Sequence, residues 1–160
     1  MGYLPRNFWL GVSVTSRETL NRAWELLELP EEVCHGVLWI SAEPLYSDID
    51  MVPLLRTGRF GWCAVGGESG PNRFQTRLEW LQHIVADFKA YETPVFVKQL
   101  GEVWAGQRKG LDTGKKGGNW IAWPEALKVR EMPRSQAKRH PENSPEVRLD
   151  IPTLKSRYEK

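Results

Sequence analysis

Gly61-Trp62-Cys63-Ala64-Val65-Gly66-Gly67-Glu68-Ser69-Gly70-Pro71 is the stretch on which the fold turns. Its first six residues form an apolar run of strand length. The glycines at 66, 67 and 70 then free the backbone for tight turns and close approach. An apolar run that ends in a polar glycine loop and leads into a helix is the start of a βα unit. The residues downstream agree. Leu78, Leu81, Ile84, Val85 and Phe88 fall on one helical face, and Thr76 is the expected N-cap.

The same pattern recurs on both sides. Phe8 to Val14, Val37 to Ala42 and Pro94 to Lys98 read as further strands, near 8–14, 37–42 and 94–98. Thr15 is expected to open a helix, with Glu18 at capping-box spacing, and a short helix is expected from Ile49 to Leu55. The strand starts lie 29, 24 and 33 residues apart, the length of a βα unit. Strands joined through helices are parallel, with right-handed crossovers. Residues 7–100 are therefore expected to form four βα units of a doubly wound sheet or of a barrel.

Composition narrows the function. The 160 residues carry 22 basic and 20 acidic side chains, a balance that announces neither nucleic acid nor membrane. The last sixty residues are the exception, with thirteen basic against eight acidic groups, net +5. No stretch approaches ~20 apolar residues, so no membrane helix is expected, and the cytoplasm is the expected compartment. Two cysteines, Cys34 and Cys63, exclude a disulfide scaffold and an all-cysteine metal site built from this chain alone. The three histidines stand at no metal-ligand spacing, so no metal site is expected. Eight tryptophans are an unusual number. Most are expected in the wall or as an end plug, with Trp104, Trp120 and Trp123 as the alternative stacking surface for a base.

In parallel α/β folds, ligands bind beyond the C-terminal strand ends. Those ends carry Ser13, then Glu43, then Gly66, Gly67, Glu68 and Ser69, then Lys98 and Gln99. If the strands are parallel, these groups converge on one rim. Two carboxylates, a lysine, an amide and hydroxyls suit an amine or ribose hydroxyls, or acid–base work. The glycine pattern is neither GxGxxG nor a P-loop, and Glu68 argues against a simple phosphate cradle.

Four segments in order carry a family resemblance. They are Asn7 to Val14, Ser41-Ala42-Glu43-Pro44-Leu45, Trp62 to Pro71 and Pro94 to Gly101, with Glu131-Met132-Pro133-Arg134 at the end. The chain resembles the phage gp thirty-seven/gp sixty-eight family, a domain of unknown function, over roughly residues 3–134. The resemblance implies a radical-SAM-like protein, of which this chain is the C-terminal half of a TIM-like barrel. An irregular Trp-containing extension begins at 101, and a polar, proline-containing tail covers 135–160. Full-length relatives carry a half with clustered cysteines that this chain lacks, and Ala42 stands where the family has cysteine. An iron–sulfur cluster needs three thiolates at close spacing. The resemblance thus implies no cofactor in this chain alone. A cluster and S-adenosylmethionine are expected only with a complementary N-terminal half, and no catalysis is expected without it. A half-barrel has two strand edges to cover, with its own tail, with a complementary half or with a second copy, and association with that half or with a second copy is expected. The alternative expectation is a non-catalytic module that binds nucleic acid or protein through its basic last third.

Overall fold

A computed structural model describes residues 7–33, 36–70 and 74–133. The expected tail at 135–160, Cys34, His35, His140, Pro71 and Arg134 lie outside the described residues.

The four strands are β1 (Leu10–Ser13), β2 (Leu38–Ala42), β3 (Phe60–Val65) and β4 (Val95–Val97). They form one parallel sheet in the order β1-β2-β3-β4. Helices α1 (Asn21–Leu27), α2 (Val52–Leu55) and α3 (Leu78–Ala90) lie between successive strands, and α4 (Glu102–Gly106) follows the last. Every strand neighbours the next one in sequence, so right-handed crossovers put the connecting helices on one face of the sheet. That face is the core. Ile40, Phe60, Cys63, Val65, Val95 and Val97 pack there with Leu81, Ile84 and Phe88 of α3, all buried. A fully buried side chain of this kind contributes roughly 1.5–3 kcal/mol.

Two caps differ from expectation because other groups take the expected capping partners. Ser16, not Thr15, precedes the first turn, a short 3-10 segment at Arg17–Thr19. Thr19 Oγ1, rather than Glu18, accepts from the Thr15 and Ser16 amides at 2.9 and 3.0 Å. Thr76 does not cap α3, whose N-cap is Arg77. Its hydroxyl donates instead to the Leu45 carbonyl at 2.9 Å, tying the approach to α3 onto the β2 exit.

The other sheet face is aromatic at its lower end. Gly11, Trp39 and Trp62 stand in one registered row. A Cβ on Gly11 would sit 2.2 Å from Trp39 Cε2, so the indole lies directly across that glycine. Trp62 is the hub, with Trp39 at 5.3 Å, Trp9 at 5.8 Å and Phe96 at 6.2 Å between ring centroids. Its Nε1 donates to the Glu131 carbonyl at 2.8 Å. Two residues further along the strands, Ser13, Ser41 and Ala64 leave the same face shallow.

The two sheet edges are treated differently. The outer edge of β4 is covered by residues 129–131, which run antiparallel to it. Val97 N–H donates to Val129 O at 2.9 Å and Glu131 N–H to Val95 O at 3.0 Å. Arg130 fixes this strap, with its guanidinium 5.0–5.4 Å from the rings of Phe96, Trp120 and Trp123. It also donates to the Val97 and Lys98 carbonyls at 3.2 and 3.1 Å. On this side the edge is covered by the chain's own segment after β4. Among the described residues no strand pairs with the outer edge of β1, where Arg22 Nη1 donates to the Ser13 carbonyl at 3.4 Å. The core-side Leu10 and Val12 of β1 are only half-buried, whereas the equivalent residues of β2, β3 and β4 are buried.

Candidate functional site

The last common row of β2, β3 and β4 is Ala42, Val65 and Val97. One residue further on come Glu43, Gly66 and Lys98. Because Gly66 has no side chain, the Glu43 carboxylate lies across it. A Cβ there would meet Glu43 Cγ and Cδ at 3.4 Å. Glu43 thereby spans the middle strand and reaches Lys98 Nζ at 2.9 Å. The same oxygen, Oε1, accepts from Gln99 Nε2 at 2.6 Å. Gln99 is buried, and its amide also donates to Gly67 O at 3.0 Å. The other oxygen, Oε2, accepts no hydrogen bond among the described residues. The Glu43 side chain is 15% exposed and Lys98 59%, so solvent screens the pair on the lysine side.

Gly67 closes the floor. Its amide donates to Gln99 O at 2.9 Å. A Cβ would fall 2.3 Å from Leu100 O, so only glycine allows the β3 and β4 exits to cross this closely. Glu102 N–H donates to Glu68 O at 2.9 Å and locks the crossing.

Of the residues expected at the rim, Glu43, Gly66, Gly67, Lys98 and Gln99 come together. Glu68 lies beside them but is turned to its own loop. One carboxylate oxygen accepts from the Gly70 amide and the other from Tyr46 Oη, both at 2.7 Å. The residue is 8% exposed, so it pins the loop rather than facing a ligand. Ser69 and Ser13 lie at their strand ends, and neither hydroxyl makes a hydrogen bond among the described residues. The Ser13 carbonyl instead accepts from Arg22 Nη1 at 3.4 Å, on the far side of the sheet from Lys98.

Tyr46 was not legible beforehand. Its hydrogen bond to Glu68, followed by partial burial and the carboxylate's charge, pushes its phenol above the ordinary tyrosine range. Phe74 meets it edge-on at 5.1 Å and stacks on Trp80 at 6.4 Å, which gives the rim an exposed aromatic border.

An open cleft of about 480 Å³ lies away from the rim and is lined by Arg17, Leu20, Asp48, Ile49, Asp50, His83 and Asp87. His83 Nδ1 is 3.1 Å from Asp48 Oδ1. Burial, then the charge of Asp50, raises the Asp87 carboxyl, while the Met51 amide and His83 oppose the shift. A raised carboxyl favours the fold in its protonated form, and that contribution is lost as pH rises through its range. Asp87→Asn is therefore expected to raise the melting temperature at pH 7. The gain should vanish below about pH 4, where aspartate is protonated even in the unfolded chain. Melts of both proteins at the two pH values check this.

Among the described residues no three His, Cys, Asp or Glu side chains gather as a metal site. Cys63 is fully buried, and desolvation pushes its thiol far up. As a lone, protonated thiol in the core it does not match the three close thiolates a cluster needs. Trp104 and Trp123 are buried, and Trp120 and Trp123 are stacked by Arg130. Arg108 covers Trp104 at 4.3 Å. Trp104 and Trp123 are thus taken up within the chain, and Trp120 is half-buried beside Trp123 and Arg130. No helix among the described residues is long and apolar enough to cross a membrane.

No curated protein and no solved structure matches the chain. A family model described as "Protein of unknown function (DUF5131)" matches residues 1–143, and the chain belongs to that family.

Proposed function

We propose that the chain is a ligand-binding βα module whose rim at Glu43, Lys98 and Gln99 takes a small molecule bearing an amine or ribose hydroxyls. The observation that carries this reading is Glu43. It is a nearly buried carboxylate held over Gly66 by two donors on one oxygen, with its second oxygen unclaimed. An amine or hydroxyl donor completes that oxygen, and Lys98 beside it accommodates a polar acceptor.

The sequential parallel order and the one-sided helices are also those of part of a barrel. On the resemblance to radical-SAM-like proteins, the module is a cytoplasmic, C-terminal portion of such a barrel. A complementary half seats on the aromatic face of Trp9, Trp39 and Trp62 and supplies the cluster and S-adenosylmethionine. On this reading two cysteines fall short of the three close thiolates a cluster needs, and radical chemistry waits on that half.

The test uses 5′-amino-5′-deoxyadenosine, which carries an amine and ribose hydroxyls on one molecule. Amide resonances of Gly66, Gly67, Lys98 and Gln99 should shift saturably on titration. Glu43→Gln should weaken the binding by about tenfold or more, the loss of one charge-assisted hydrogen bond. Unmoved rim resonances, or equal affinity in the variant, would reject the reading.

A further inference from the structure

Beyond Lys98 and Gln99 the chain builds a basic loop against the rim. Residues 98–118 carry five basic groups, Lys98, Arg108, Lys109, Lys115 and Lys116, against two acidic ones, Glu102 and Asp112, net +3. Leu100 N–H donates to Gly117 O at 3.1 Å and Gly101 N–H to Lys116 O at 3.0 Å, so Lys116 and Gly117 lie on the β4 exit. Gly101 in turn rests on the rim floor, where a Cβ on Gly67 would come 2.9 Å from its nitrogen.

The loop is held in place by its own bonds. Asn119 N–H donates to Thr113 O at 2.9 Å, and its Nδ2 to Asp112 O at 2.6 Å. The Asp112 carboxylate is turned inward onto the Gly114 amide at 3.3 Å. Arg108 is also used internally, on the Trp104 ring and carbonyl. Lys109, Lys115 and Lys116 are exposed and make no ion pair among the described residues. Between this loop and α4 lies an open groove of about 700 Å³, with Val103 and Leu111 on its walls. Leu111 is 60% exposed, and a Cβ on Gly106 would meet nothing within 4 Å.

We propose that loop and rim together bind single-stranded RNA. Lys109, Lys115 and Lys116 take phosphates, and Glu43 Oε2 takes the 2′-hydroxyl of one ribose. The proposal rests on the reading of the rim as a site for ribose hydroxyls. Its charges divide the work. Lysine is a point charge suited to phosphate oxygens, whereas a carboxylate oxygen accepts from a hydroxyl. The 2′-hydroxyl is the donor that DNA lacks. Glu43 is only 15% exposed, so an unpaired nucleotide reaches it more readily than one inside a duplex. The groove offers apolar surface to a neighbouring base.

Fluorescence anisotropy with labelled twelve-nucleotide oligoadenylate, as RNA and as DNA, tests this. RNA should bind at about 50 mM salt, and its affinity should fall with salt at a log–log slope near about −2, three phosphates on a single strand. Lys115→Gln with Lys116→Gln should flatten that slope by about 1.4. RNA should bind about tenfold more tightly than DNA, and Glu43→Gln should remove that preference while leaving the slope unchanged. Near-ultraviolet circular dichroism of each variant should match the parent and show that the fold persists. No binding at low salt, or an unaltered slope in the double lysine variant, would overturn the proposal. Equal affinity for RNA and DNA would also overturn it and assign the loop to polyanions in general. Polyglutamate competing as well as RNA would overturn it in favour of an acidic protein. If any of these is found while 5′-amino-5′-deoxyadenosine still shifts the rim resonances, the rim reading stands and the RNA proposal alone has failed.

Discussion

Gly67→Ala is expected to cost about 3 kcal/mol of stability, at the upper end for an overpacked site. The added methyl would lie 2.3 Å from Leu100 O, 2.6 Å from Leu100 C and 2.9 Å from Gly101 N. All three are backbone atoms, so no side chain can rotate away. The two exits must separate, and both are tied. Gly67 N–H is bonded to Gln99 O and Glu102 N–H to Glu68 O, each at 2.9 Å. Separation also draws Gln99 away from Glu43, so the rim should loosen with the fold. Gly106→Ala is the control, because a Cβ there meets nothing within 4 Å. It should be neutral or slightly stabilising. Urea denaturation of the two variants measures the contrast, and a loss below about 1 kcal/mol for Gly67→Ala would show that the crossing is more pliable than its geometry implies.

The largest effect is expected at Trp123. Its truncation to alanine should cost about 4 kcal/mol, the middle of the range for buried Trp or Phe. For a domain of this size that lowers the melting temperature by roughly 10 °C. Trp123 is 4% exposed, and its Nε1 donates to Gly117 O at 2.8 Å. That carbonyl also receives Leu100 N–H at 3.1 Å, so the indole ties the glycine loop to the β4 exit. The ring is one of three faces around Arg130, and Arg130 holds the strap on β4. Losing it should therefore speed exchange of the Val97 amide, which donates to Val129 O. A melting temperature within about 2 °C of the parent would mean that the segment after β4 contributes little to the fold.

The strands were the most legible part of the molecule. A parallel strand covered by helices is an apolar run with sharp polar ends, and each of the four lies within two residues of its expected limits. The rim followed from them, because parallel register turns the first residue after each strand into a neighbour of the next. That logic places Glu43, Gly66 and Lys98 correctly. It does not say where a carboxylate points. Glu68 turns to Tyr46, 22 residues away, and to Gly70, and no local pattern carries the first of these contacts. Thr76 fails for the same reason: a hydroxyl that suits a cap was claimed by the Leu45 carbonyl, 31 residues back. The strap of residues 129–131 was also hidden. Three residues are too few for a periodic signal, and their partners lie some thirty positions upstream.

Trp62 has a consequence for how the molecule can be observed. Trp9 and Trp39 stand within 6 Å of it, tilted by 61° and 47°. Indole transition dipoles at such separations couple, so their near-ultraviolet circular dichroism belongs to the layer rather than to single rings. Any body that settles on that face must tilt or desolvate these rings, and the protein carries its own optical dye for the event.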